Sequence, residues 1–167
     1  MTQPSAPDAD PSCILVRQRY SCVVLPEFEG GGLPPGIHRA SWREVCERFG
    51  GSQRREWLLV GLQAVLQELA RAGCPRAWLD GSFVTSKREP GDFDLVWDTA
   101  GVALAELDDV LTDLDPPRQA QKQKFRGDVL PNVTEGGSGM PFVEFFQQDP
   151  VTGHARGIVE LTLEEFR

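Results

Sequence analysis

Apolar residues recur along this chain in two rhythms. Between Gln53 and Ala72 they fall at Leu58, Leu62, Val65, Leu66 and Leu69, and Gly73 ends the run. That spacing places them on one face of an amphipathic helix. Ser52 is placed to cap it, while Arg54, Arg55 and Glu56 read as solvated charge. Ser41-Trp42-Arg43-Glu44 has the capping-box form. It predicts a short helix from Trp42 to Phe49, stopped by Gly50-Gly51. A third amphipathic helix is expected from Val102 to Leu114, with Leu104, Leu107 and Leu111 inward and Asp108, Asp109 and Asp113 in solvent; Pro116-Pro117 ends it. The other apolar runs are short and read as strands: Ala77-Trp78-Leu79, Leu95-Val96-Trp97, Phe125 to Leu130 and Gly157 to Leu161. Phe142 to Phe146 fits a strand or a helical turn. Glu29 to Gly36, rich in Gly and Pro, reads as a loop. Met1 to Ser12 is expected to be a disordered tail. Ile14-Leu15-Val16 and Cys22 to Leu25 read as short strands or an arm. The alternation of helix and strand predicts an α/β (α+β) fold: a single domain over residues 13–167, with helices packed on a small mixed sheet.

The candidate chemistry lies between two of the strand runs, in LDGSFVTSKREPGDFDLVW. The first run breaks at Gly81-Ser82, and nine residues later Asp92-Phe93-Asp94 leads into the second. Side chains two apart on a strand share a face, so Asp92 and Asp94 project together and Phe93 and Leu95 oppose them. Adjacent carboxylates repel unless a cation joins them, and oxygen ligands suit a hard one, Mg²⁺ or Mn²⁺. Gly81 allows close approach of backbone to a ligand, and Ser82 adds a hydroxyl beside amides that could open a helix toward phosphate. Lys87 and Arg88 follow within reach of a polyphosphate. Such a set is equipped to move a phosphoryl or nucleotidyl group. A third carboxylate would complete it, and both Asp128 and Glu144 are candidates. Asp128 is favoured, because a short Asp on a strand returning beside Asp92 and Asp94 is rigidly placed. Gly127 beside it could leave room for metal or phosphate.

Composition narrows the picture further. A chain of 167 residues suits one domain. No apolar run approaches the roughly 20 residues that span a bilayer, and the N-terminus lacks the form of a signal peptide, so a cytoplasmic protein without a membrane partner is expected. Cys13, Cys22, Cys46 and Cys74 lack metal-ligand spacing and read as structural thiols. His38 and His154 sit beside turn residues and read as hydrogen-bonded surface groups. A net charge of −8 argues against strong free nucleic-acid binding. It leaves nucleotides open, because a metal can supply the positive charge. The basic cluster Arg118, Lys122, Lys124 and Arg126 fits either phosphate contact or plain surface.

Gly-Ser, nine residues, then Asp-x-Asp between apolar neighbours resembles the signature of the polymerase-β-like nucleotidyltransferase superfamily. More narrowly, it is similar to small bacterial proteins built on a minimal core of that kind. The specific motif covers Leu79 to Trp97, and a looser likeness runs from about Gly36 to Leu163. The resemblance implies a nucleotidyltransferase in which Asp92, Asp94 and Asp128 hold Mg²⁺ (or Mn²⁺), Gly81 and Ser82 bind the NTP phosphates, and Lys87 and Arg88 help neutralise them. A nucleotide would pass to a protein or RNA acceptor. Many members carry a second, acceptor-binding domain, for which a chain ending at Arg167 leaves no room, so a partner protein that completes the site is one expectation. Minimal cores of this kind often occur in toxin–antitoxin pairs and phage defence, which also admits a catalytically silent, nucleotide-binding or antitoxin-like role.

Overall fold

The computed structural model describes residues 25–167. The expectations for residues 1–24, including the tail, the apolar runs and Cys13 and Cys22, lie outside the described residues; Leu25 is buried but in no strand. The capping box closes as its residues dictate. Glu44 N donates to Ser41 Oγ (3.3 Å) and Ser41 N to the Glu44 carboxylate (2.7 Å). It opens helix α1 (Trp42–Phe49). Ser52 then caps helix α2 (Gln53–Arg71), its Oγ accepting from Arg55 N at 3.2 Å. Leu58, Leu62, Val65, Leu66 and Leu69 are all fully buried, as the period requires.

Five strands form one mixed sheet: β1 (Gly36–Ala40), β2 (Arg76–Asp80), β3 (Asp94–Trp97), β4 (Asp128–Pro131) and β5 (Gly157–Thr162). Their order is β1-β5-β2-β3-β4. The pairs β1–β5 and β3–β4 are parallel, and β5–β2 and β2–β3 are antiparallel. The architecture is the predicted α/β (α+β) one with a mixed sheet. One face, carrying Ala77, Leu79, Leu95, Trp97, Val129, Val159 and Leu161, belongs to the main core with α1 and α2. On the other face Trp78, Val96 and Ile158 are covered by Phe142, Val143 and Phe146 of the short helix α4 (Phe142–Phe145) and its end. No helix among the described residues is long and apolar enough to cross a membrane.

The segment from Val102 to Leu114 departs from expectation. In place of one helix it forms two separate 3₁₀ turns, Leu104–Glu106 and Asp109–Leu111. Leu107 and Leu111 are buried, but Leu104 is exposed. Asp108 explains the break: its carboxylate accepts from Val110 N at 3.0 Å, and its backbone is extended. A local side-chain acceptor of this kind competes with helical pairing. A helix stands further on, α3 (Gln119–Phe125), within a stretch too polar to show a period. Its Gln121 is fully buried, donating to Asp113 O (3.0 Å) and accepting from Val129 N (2.8 Å). The strand expected from Phe125 begins only at Asp128. Strand β1 was not anticipated; it is a half-exposed edge strand beside the expected loop. There His38 Nε2 donates to Pro34 O at 2.7 Å.

Candidate functional site

Period-two geometry and strand register together build a row of acids. Asp94 opens β3, with Phe93 fully buried in the core on the opposite side. Across the antiparallel pair Asp94 meets Asp80, the last residue of β2. Across the parallel pair it meets Asp128, the first residue of β4. Residues directly opposite share a sheet face, so Asp80, Asp94 and Asp128 stand side by side, and Asp92 lies just before them. The structure therefore brings Asp92, Asp94 and Asp128 together. Glu144 is exposed on α4, outside this row.

Gly81 makes the row possible. It turns the chain out of β2 with φ 82°, and a Cβ there would lie 2.2 Å from Asp94 Oδ2. Only glycine permits both that backbone and that approach. Ser82 opens a single 3₁₀ turn, Ser82–Val84, where the sequence predicts a short helical or looped segment. So short a turn has little dipole to offer a phosphate, and Ser82 contributes chiefly its hydroxyl. Gly127 also has a different task from the one suggested by sequence. A Cβ at Gly127 would fall 2.5 Å from the Phe93 ring and 2.6 Å from Phe93 O, so it admits β3 itself and not a ligand.

Two adjacent arginines at the start of α2 hold the loop between Gly81-Ser82 and Asp92. Arg55, expected in solvent, is buried and donates to four backbone carbonyls: Phe49 (2.9 Å), Phe83 (2.8 Å), Thr85 (2.7 Å) and Lys87 (2.6 Å). Desolvation lowers its pKa, with Glu89 pulling the other way. Arg54 donates to Pro90 O at 2.9 Å and also to Gly91 O. Its guanidinium lies 4.3 Å from the centre of the Trp57 ring, and that of Arg126 lies 4.6 Å from it. The loop's own cations behave otherwise. Lys87 and Arg88 are exposed, and Arg88 lines a shallow groove with Gly50, Ser52 and Ser86 on the helix side.

Three cations serve the acids. Lys122 Nζ lies 2.7 Å from Asp92 Oδ2 and 2.9 Å from Asp128 Oδ2. Arg118 Nε lies 2.9 Å from Asp128 Oδ1. Arg156 pairs with the buried Asp80 and donates to Phe146 O at 2.8 Å, tying the α4 end to the row. Asp94 has no direct ion pair among the described residues. Burial, then the charges of Asp80, Asp92 and Asp128, push its pKa up to about 7, with Lys122 opposing. Burial likewise pushes Asp80 up to about 6, against Arg156 and the Gly81 amide. Burial pulls Lys122 down, but its bonds to Asp92 and Asp128 outweigh this and hold it above its ordinary value.

The donor set is all oxygen and centres on an unpaired carboxylate, which fits a hard divalent cation in kind. Among the described residues no three His, Cys, Asp or Glu side chains close around a common point, and cations of the chain hold Asp92 and Asp128. Cys74 is a buried thiol pushed up to about 11 by burial, and it takes no part in the row. Sequence reasoning passed over Asp80 and Arg55, although each carried a signal. Asp80 is two residues from Trp78 and directly precedes the Gly-Ser turn. Arg55 falls on the helical stripe of Leu58, Leu62 and Leu66.

Residues 26–162 match a family described as a family of unknown function (DUF6932). That stretch is most of the chain, and the protein belongs to this family. No curated protein and no solved structure matches the chain.

Proposed function

We propose that the protein is a metal-dependent nucleotidyltransferase that passes a nucleotide from an NTP to a protein or RNA acceptor. The observation that carries this reading is the register of Asp94 between Asp80 and Asp128, beside a Gly81 that only a glycine could be. Asp92, Asp94 and Asp128 are the residues that would hold Mg²⁺ or Mn²⁺. A divalent ion held there would supply positive charge to the phosphates during transfer. The Gly81 amide and Ser82 hydroxyl receive the phosphate tail, and the exposed Lys87 and Arg88 of the same loop, Arg88 on its helix side, would reach it only as weaker neutralising groups. A carboxylate of the row accepts the proton of the acceptor hydroxyl as its oxygen bonds to the α-phosphorus. The bond from that phosphorus to the bridging oxygen breaks, and pyrophosphate leaves. The loop held by Arg54 and Arg55 fixes the distance between the phosphate-binding turn and the acids, which is the protein's main contribution when positioning dominates.

Such a core fits a role in a cytoplasmic toxin–antitoxin or defence pair, with a partner protein completing the acceptor site. A second reading is favoured by one observation. Lys122 and Arg118 already neutralise Asp92 and Asp128, as a catalytically silent nucleotide-binding or antitoxin-like protein would allow. Incubating the purified protein with labelled NTPs, Mg²⁺ and cell lysate separates the two. A labelled protein or RNA band supports transfer, whereas Mg²⁺-dependent NTP binding without any labelled product supports the silent reading.

A further inference from the structure

The geometry points to Lys122 as a resident cation that the divalent ion must displace, and that then pairs with the phosphates of the incoming nucleotide. This inference rests on the metal-dependent reading above. The ammonium sits between Asp92 and Asp128, 2.7 Å and 2.9 Å from one oxygen of each. Those are the positions where ligand oxygens must turn toward a metal, and two cations cannot share them without strong repulsion. One of the two has to leave, and the contacts decide which. Arg118 is tied to Asp128 and also donates to Leu114 O at 3.3 Å. Among the described residues the Lys122 ammonium bonds only the two carboxylates, its side chain is about one-third exposed, and it ends a flexible four-carbon stem. Lys122 is therefore the group that swings out.

Its anchor on α3 stays beside the row, within one side-chain length of the carboxylates it has left. There the ammonium needs a new anion, and a triphosphate held by the ion supplies one. Lys122 thus opposes the bare ion and favours the ion–triphosphate complex. It makes the two ligands bind cooperatively, since the first must displace it and the second rewards the displaced state. The sequence marked Lys122 only as part of a basic cluster. Its position on α3, three residues before Phe125 and six before Asp128, brings it to the acids.

The test compares the wild type with Lys122→Met, which keeps most of the stem without the charge. Calorimetry is done with Mn²⁺ alone and with Mn²⁺–tripolyphosphate, and circular dichroism checks the fold. Lys122→Gln serves as a second variant should the Met protein fold poorly. The variant is expected to bind Mn²⁺ alone at least fivefold more tightly than wild type and the Mn²⁺–tripolyphosphate complex at least fivefold more weakly. A merely structural lysine would move both affinities in the same direction or leave both unchanged, and either result overturns the inference while leaving the metal-dependent reading intact. If neither folded protein binds Mn²⁺ in either form, the metal-dependent reading itself falls.

Discussion

Two acids on the same face of one sheet have opposite fates. Glu160 on β5 is saturated: it accepts from Trp78 Nε1 at 3.0 Å and from Arg39 Nε at 3.0 Å. Asp94, two strands away, has no direct ion pair among the described residues and three carboxylates as neighbours. A buried acid that serves only the fold is given donors, because an uncompensated charge is costly. An acid left without them, beside a glycine whose backbone and close approach no other residue permits, is the one the proposed function assigns to a ligand from outside the chain. The contrast separates the two carboxylates more sharply than burial does, since both are largely buried.

The sharpest way to break the contrast is to neutralise each acid in turn. Asp94→Asn should lower NTP-dependent labelling of the acceptor at least 1000-fold, about 4 kcal/mol of transition-state stabilisation. It should also abolish any Mg²⁺-dependent rise in melting temperature with NTP, while the protein stays folded. Glu160→Gln should keep both properties and lose about 1–2 kcal/mol of stability, read in urea. A full metal-dependent shift retained in Asp94→Asn would place the site elsewhere.

Next in size is the loop that links the two parts of the candidate site. Arg55→Met leaves four carbonyls without their donor. A loss of about 3 kcal/mol in urea denaturation is expected. A loss below about 1 kcal/mol would mean that water replaces the guanidinium and that the loop holds itself.

The pH dependence of the metal-free protein follows from Asp94, whose carboxyl moves from the ordinary 3.8 to about 7 on folding. Between these values the folded chain keeps a proton that the unfolded chain has released, so stability falls as pH rises and levels off above about 7. Asp80, raised to about 6, acts with the same sign over a narrower range. Denaturation at pH 4.5 and 7.5 should differ by about 5 kcal/mol in favour of the lower pH, about 3 from Asp94 and about 2 from Asp80, as far as these two acids decide it. Asp94→Asn should flatten that slope and exceed the wild type in stability at pH 7.5. A wild-type profile that rises over this range would show Asp94 to be ionised and partnered in the folded state.

The smallest expected effect is at Ser82. Removing one hydroxyl that bonds a charged phosphate should weaken NTP binding by about 1–2 kcal/mol in calorimetry. Unchanged affinity would reduce Gly81-Ser82 to the structural half of the comparison, a turn that seats Asp94.

The amino-acid sequence by itself determined what depends on near neighbours. The capping box at Ser41 and Glu44, the cap at Ser52 and the stripe from Leu58 to Leu69 act over three or four residues, and all form as written. The alternation that sends Asp92 and Asp94 one way and Phe93 and Leu95 the other is equally local. The tertiary structure decided what depends on pairing between distant segments. Strand register, not spacing, puts Asp80 and Asp128 on either side of Asp94. Arg55 leaves solvent only because the loop after Ser82 turns its carbonyls toward it, and Lys122 meets Asp92 only because Gln121 anchors α3 to β4 through Val129. The helix expected from Val102 to Leu114 failed for a related reason: Leu107 and Leu111 of its apolar stripe reach the core and Leu104 does not, and Asp108 found a partner in its own backbone, with Lys124 and Glu68 close by from other elements. A periodic pattern states which residues seek the core; whether they reach it as one helix or as separate turns is settled by the polar groups that meet them after the chain has folded.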